Sequence, residues 1–256
     1  MKSLLKIFGV LFMLLFQLTG CLDKNDQQPV YYFYDEPVAV HQKDEYPVVR
    51  NEDYLFYVPE LVENTTLKDR DLLWTSFTVD LEDQAPNIYY GAHAYTARRF
   101  RYQTVDSSKV IIPADVAEFE SYMQDDYSAP IELAVLYRYK IDNLWFFGFK
   151  QRDQSNQLSH TYELILNPEI EDDGNNYPTL YIRSKQINAE EAQGGAKSRD
   201  GNIFAFDVSD FARYSSNGQV RFNLKYKTGV DSDGKDIYKA FMSNPIQWNF
   251  NLENPE

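Results

Sequence analysis

Between Ile131 and Phe250 the chain keeps returning to one pattern, apolar and polar residues in alternation over short runs. Val220, Phe222, Leu224 and Tyr226 alternate with Arg221, Asn223, Lys225 and Lys227, and Ile246, Trp248 and Phe250 with Gln247, Asn249 and Asn251. A period of two puts one set of side chains on a buried face and the other in water, which is the signature of a strand. Leu133, Val135, Tyr137 and Tyr139 likewise share a face opposite Glu132, Arg138 and Lys140. Leu144–Lys150 (LWFFGFK) is apolar on both faces, as a central strand is. With Tyr162–Leu166, Leu180–Arg183 and Ile203–Val208 the count reaches seven, and Ser209–Tyr214 reads as one helical turn crossing between sheets. The pattern predicts an all-β fold, an antiparallel seven-stranded Ig-like β-sandwich over residues 128–256.

Residues 30–127 have another texture. Strands are read at Tyr31–Tyr34, Val38–His41, Tyr54–Val58, Leu72–Val79 and Tyr89–Tyr102, the last with a bend or bulge at Gly91, and a short one at Val110–Pro113. In Ala114–Gln124, Val116, Phe119 and Met123 stand at helical spacing and predict one amphipathic helix. The polar, proline-terminated stretch Asp125–Pro130 is the expected boundary between two domains.

The N-terminus begins with Lys2 and Lys6, the apolar run Ile7–Phe16, and Leu18-Thr19-Gly20-Cys21. That order is a secretory signal with a small-residue cleavage site, and the apolar run is shorter than the roughly 20 residues of a spanning helix. The last four residues resemble the bacterial lipoprotein signal, which implies cleavage after residue 20 and acylation of Cys21. Residues 1–20 are then a signal peptide and the polar stretch 21–29 a flexible tether. Several acyl chains hold a protein stably to a membrane. Leu22 is not the aspartate of an inner-membrane retention signal, so outer-membrane residence is expected, facing the periplasm or exposed at the surface.

Without residues 1–20, which hold two lysines and no acids, 39 acidic residues face 23 basic ones, a formal charge of −16. Such acidity excludes nucleic acid, whose phosphates need a basic surface, and leaves attachment to the membrane to the lipid anchor. Cys21 is the single cysteine, so no disulfide, thiol nucleophile or zinc-thiolate site is expected. Stability must come from core burial, for which 20 Tyr, 17 Phe and 3 Trp are well suited.

The lipobox, the strand-plus-helix half and the segments LWFFGFKQRD, HTYELILNPE and YPTLYIR together resemble the NigD-like lipoproteins. These are exported proteins of Gram-negative gut anaerobes. The resemblance spans Ile131–Arg183 and Val220–Phe250, and over Val30–Pro113 it follows strand order. It implies an N-terminal OB-like β-barrel with one helix over residues 30–127, followed by the β-sandwich. It also implies a bacteriocin-associated accessory role in immunity or export, and assigns no catalytic residues. Asn188–Asp200 reads as an insertion peculiar to this chain.

Motifs for chemistry are few. His41, His93 and His160 stand far apart, with no metal-ligand spacing, and no nucleophile elbow, P-loop or dinucleotide fingerprint occurs. No metal or cofactor is expected. Acidic pairs such as Glu118/Glu120 and Asp125/Asp126 read as solvated charges rather than a glycosidase pair. Asp231–Asp236 sets acids at alternate positions around Gly234, like the opening of a calcium loop, but lacks the distal glutamate; a hairpin turn is expected, with calcium left open. Glu171–Asn176 reads as a solvated loop. Arg98-Arg99-Phe100-Arg101-Tyr102 puts three cations beside two aromatics, chemistry that stacks sugars or grips an acidic partner. The same charges on an edge strand would serve only against aggregation. Trp145 joins Arg98, Arg99, Arg101 and Tyr102 as a candidate binding residue, should one face of its strand be open. The reading is a non-enzymatic, membrane-anchored lipoprotein that binds a protein or glycan partner. A glycan hydrolase on a sandwich and a structural subunit of a surface assembly are the alternatives.

Overall fold

The structure is a computed structural model that describes residues 30–42, 47–64, 66–84, 94–124, 128–151, 159–170, 176–187 and 202–250. The signal peptide and tether, Cys21, Gly91 and His93, Asp125–Tyr127, most of the loop after Ile170 and the segment Asn188–Asp200 lie outside the described residues.

Five strands make the first core: β1 (Val30–Gln42), β2 (Val48–Arg50), β3 (Leu55–Tyr57), β4 (Leu72–Gln84) and β5 (Ala94–Lys109). β1 pairs with β2 and β4, β2 with β3, and β4 with β5, all antiparallel; β3 runs parallel to β5 and closes the ring. Closure removes the free edges an open sheet would present. Val38, Val40, Val49, Phe56, Val58, Leu73, Phe77, Val79 and Ala97 fill the interior. Phe33 stacks on Phe77 at 4.7 Å, and Phe56 meets both rings edge-on.

The second core is a sandwich. After β5 come α1 (Val116–Met123), β6 (Ser128–Ala129), β7 (Ile131–Ile141), β8 (Leu144–Gln151), β9 (Ser159–Leu166), β10 (Thr179–Ile187), β11 (Asn202–Asp207), β12 (Gln219–Val230), β13 (Asp236–Ala240) and β14 (Ile246–Asn249). One sheet is β7, β8 and β11; the other is β9, β10 and β12, with β13 and β14 along the far side of β12 and β6 on β10. Neighbours are antiparallel except β10 with β12, and β5 with β11, which are parallel. The inner faces bury Trp145, Phe147, Phe149, Tyr162, Phe206, Phe211, Phe222 and Trp248. Ser209–Tyr214 is a 3-10 turn that inserts Phe211 into this core, with Asp207 accepting from both the N–H and the hydroxyl of Ser209.

β5 belongs to both cores. Val105 faces Leu72 of the barrel, Asp106 then pairs with Phe204 of β11, and Val110 enters the sandwich core. The short strand expected at Val110–Pro113 is reduced to one bridge, Ile111 to Ile165. The expected helix is present, and Asp115 and Glu118 cap it reciprocally: the Glu118 N–H donates to Asp115 at 2.9 Å, and the Ala114 N–H to Glu118 at 2.6 Å.

The two apolar faces of β8 serve two cores. Trp145, Phe147 and Phe149 point into the sandwich, while Phe146 packs with Ala39, Leu72, Trp74, Val105 and Ala205 in a third cluster between sandwich and barrel. There Trp74 lies 4.8 Å from the ring of Tyr137, and its indole N–H donates to Asp35 at 3.2 Å. Tyr137 also lies over Gly148, where an added Cβ would come within 3.0 Å of the ring.

Candidate functional site

Inward residues of β4 (Leu73, Phe77, Val79) fill the barrel, so Trp74, Ser76, Thr78 and Asp80 face outward. Trp74 is covered by the sandwich; beyond it Ser76 and Thr78 are partly exposed. On one side of Thr78 stands Tyr32 and on the other Arg98, each its direct cross-strand partner. Ser76 is likewise paired with Arg101.

A regular strand would point Arg98 and Arg101, three apart, to opposite faces. Between them β5 bulges: its register shifts between Ser76 and Thr78, and Arg99 adopts φ +55°. The extra residue restores the phase, so both guanidinium side chains emerge on the outer face. The Arg99 N–H donates to the Glu60 carboxylate at 2.9 Å, which ties the bulge to the 3-10 turn Pro59–Leu61. β1 bulges beside the same stretch of β4, between Phe33 and Glu36, with Asp35 at φ +54°. Phe33 thereby stays in the core while Tyr32 and Tyr34 stand out, 59% and 69% exposed, with their rings parallel within 4° and 6.1 Å apart.

Of the five residues singled out in the sequence, the fold brings Arg98 and Arg101 together and parts the others from them. Arg99 contributes a backbone conformation. Tyr102 pairs with Thr75, on the other face from Arg101, and its hydroxyl meets the Asn64 amide. Trp145 is wholly buried: it stacks on Phe222 at 4.7 Å and meets Trp248 edge-on at 5.2 Å, so a surface ligand has no access to it. Tyr32 and Tyr34 lie in the strand read at Tyr31–Tyr34, and their pairing across β4 leaves no local mark in the sequence.

Elsewhere polar groups are spent on structure. The Asp231 carboxylate accepts from the N–H groups of Asp233 and Lys235 and shapes the β12–β13 hairpin turn. Ser184 Oγ lies 3.0 Å from His160 Nδ1, but Ser184 is fully buried, and with Gln151 and Tyr162 the pair forms a network that a substrate could not reach. Lys227 and Asp236 are joined at 2.6 Å beside Tyr238, whose phenol is raised well above the usual tyrosine range by burial and then by the Asp236 charge. Among the described residues no three His, Cys, Asp or Glu side chains are grouped to hold a metal ion.

Fold and surface define an all-β protein whose OB-type barrel and β-sandwich share a strand, with an aromatic and cationic face on the barrel. No family model and no curated protein matches the sequence. Among solved structures, an uncharacterized protein from Parabacteroides merdae ATCC 43184 is similar over 84% of this chain and 97% of that one, at 15% identity and a TM-score of 0.56, a likeness of fold. Structural neighbours also include a NigD-like immunity protein from Bacteroides caccae ATCC 43185, at 10% identity and a TM-score of 0.47 over 88% of this chain and 99% of that one. A candidate lipoprotein from Bacteroides fragilis NCTC 9343 is at 15% identity and 0.47 over 88% and 100%.

Proposed function

We propose that this chain is an exported, outer-membrane lipoprotein, anchored through Cys21, that binds a partner through the outer face of its barrel and performs no chemistry. The observation that carries the reading is the exposed Tyr32–Tyr34 pair set across β4 from Arg98 and Arg101. Tyrosine and arginine are the residue types enriched where partners bind, and here they share one face. The lipobox supports the anchor, and the resemblance to NigD-like lipoproteins adds a bacteriocin-associated accessory role. The barrel and the sandwich act as two units joined through β5.

The anchor is tested by growing cells with a clickable fatty acid. The parent chain takes up label and fractionates with the outer membrane, whereas Cys21→Ala, which leaves no other cysteine, takes up none. Equal label in both, or recovery with the inner membrane, contradicts the proposal.

A further inference from the structure

We propose that the ligand of the barrel face is an anionic oligosaccharide, a chain of sugar rings bearing carboxylate or sulfate groups; this rests on the reading that the face is a binding site. Two rows cross it. One runs from Tyr32 through the Thr78 hydroxyl to Arg98, and the next from the Tyr34 bulge through Ser76 to Arg101. Adjacent strands lie about 4.8 Å apart, so each row is about 10 Å long, the reach of two sugar rings. Within a row the chemistry changes in the order a charged sugar requires. A tyrosine ring offers an apolar face to sugar C–H groups, the Thr78 hydroxyl, which donates to the Arg98 carbonyl at 3.2 Å, keeps lone pairs to accept, and a guanidinium fork matches a carboxylate or sulfate. Arg101 has neither an ion pair nor a side-chain hydrogen bond among the described residues. Asp80, one step beyond Thr78, and Asp35, in the Tyr34 bulge with its carboxylate on the Trp74 indole N–H, are acids of the same face, so its positive field lies along β5, where Arg98 and Arg101 stand.

Charge complementarity narrows the class. The chain carries a formal charge of −14, so most of its surface repels an anion and these two rows are where one is drawn in. The bulge at Arg99 supports the same conclusion. It spends an unfavourable backbone conformation on turning Arg98 and Arg101 to one face, and such outliers persist where the site uses them.

The full chain, purified in detergent, is titrated calorimetrically with oligogalacturonate, a chondroitin sulfate oligosaccharide, a neutral galactose oligomer and polyglutamate. At least one anionic oligosaccharide is expected to bind about 10-fold or more tightly than both the neutral oligomer and polyglutamate. Which one it is separates carboxylate from sulfate recognition. Tyr32→Ala/Tyr34→Ala and Arg101→Gln should each weaken that binding about 10-fold or more, the latter also flattening its salt dependence, with Arg213→Gln, on the 3-10 turn of the sandwich, within about 2-fold. Failure of both anionic sugars to bind the folded chain overturns the proposal, as does polyglutamate binding as tightly. If polyglutamate binding falls with the same tyrosine and arginine substitutions, the face remains a binding site and only the sugar assignment fails. If no probe responds to those substitutions, both readings fail.

Discussion

Arg98 and Arg101 stand on one face of β5 although they are three positions apart, because Arg99 between them takes a left-handed conformation and adds one residue to the strand. The side chain of Arg99 is therefore dispensable and its backbone is not. A left-handed residue other than glycine costs roughly 1–2 kcal/mol, and glycine in a strand gives back about 0.5–1 kcal/mol of that gain in entropy. Arg99→Gly should equal the parent or exceed it by up to about 1.5 kcal/mol, whereas Arg99→Val, β-branched, should lose at least about 1 kcal/mol. Urea midpoints of the two variants decide this; equal loss in both would place the side chain, not the backbone, in the structural role.

Sharing β5 between two cores has a consequence for fragments of the chain. Residues 131–256 include the expected sandwich but omit Asp106–Lys109, the parallel neighbour of β11, and the buried Val110. A fragment beginning at residue 104 retains both. Full burial of one aliphatic side chain contributes about 1.5–3 kcal/mol, so the longer fragment should be more stable by at least about 2 kcal/mol. Equal urea midpoints would mean that the sandwich is complete without β5.

The tryptophans test the sandwich core. Trp145 is enclosed by Phe222, Phe211 and Trp248, and Trp248 faces Val220 across the β12–β14 ladder. Truncating either to Ala removes a large buried ring and leaves a cavity, at about 3–5 kcal/mol. Trp145→Ala should show the larger drop in urea midpoint, since that ring is fully buried and Trp248 retains slight exposure. A neutral Trp145→Ala would contradict the packing.

How much of this was legible follows from which contacts are local. The alternation in β12 and β14 and the two-sided run in β8 report burial directly, because each side chain's fate depends on the face its own strand presents. Why β8 is apolar on both faces was also readable, as a central strand, though not that its second face, with Phe146, meets the barrel. The binding face was only half readable. Arg98–Tyr102 announced cations beside aromatics, but a bulge has no fixed residue signature, so their phase was hidden. In Tyr31-Tyr32-Phe33-Tyr34 every residue is aromatic, which erases the polarity that would have told inside from outside. Trp145 was drawn into the candidate set by that same ambiguity.

Glu36 gives the fold a pH dependence of defined sign. Burial raises its pKa above the ordinary 4.5, opposed by the hydrogen bond from Asn51 and assisted by Asp53 and Glu52. The unfolded chain thus releases this proton at lower pH than the folded one. The contribution of Glu36 to stability is complete below about pH 4.5 and is lost as pH rises through the folded value. Glu36→Gln keeps an oxygen to accept from Asn51 and removes the charge. Its thermal midpoint should exceed the parent's at pH 7, with the gap closing toward pH 4; a gap that widens on acidification would reverse the assignment.

The central claim is that the outer barrel face meets a partner in the cell, and photocrosslinking reports on it most directly. A benzophenone side chain replaces Tyr34 in one strain and Tyr214, an exposed tyrosine of the sandwich, in another. Irradiation of intact cells should convert the chain labelled at position 34 into a slower-migrating adduct, diminished when Arg101 is changed to Gln, and leave the chain labelled at position 214 unchanged. An adduct at position 214 with none at 34, or one at 34 indifferent to Arg101→Gln, would contradict it.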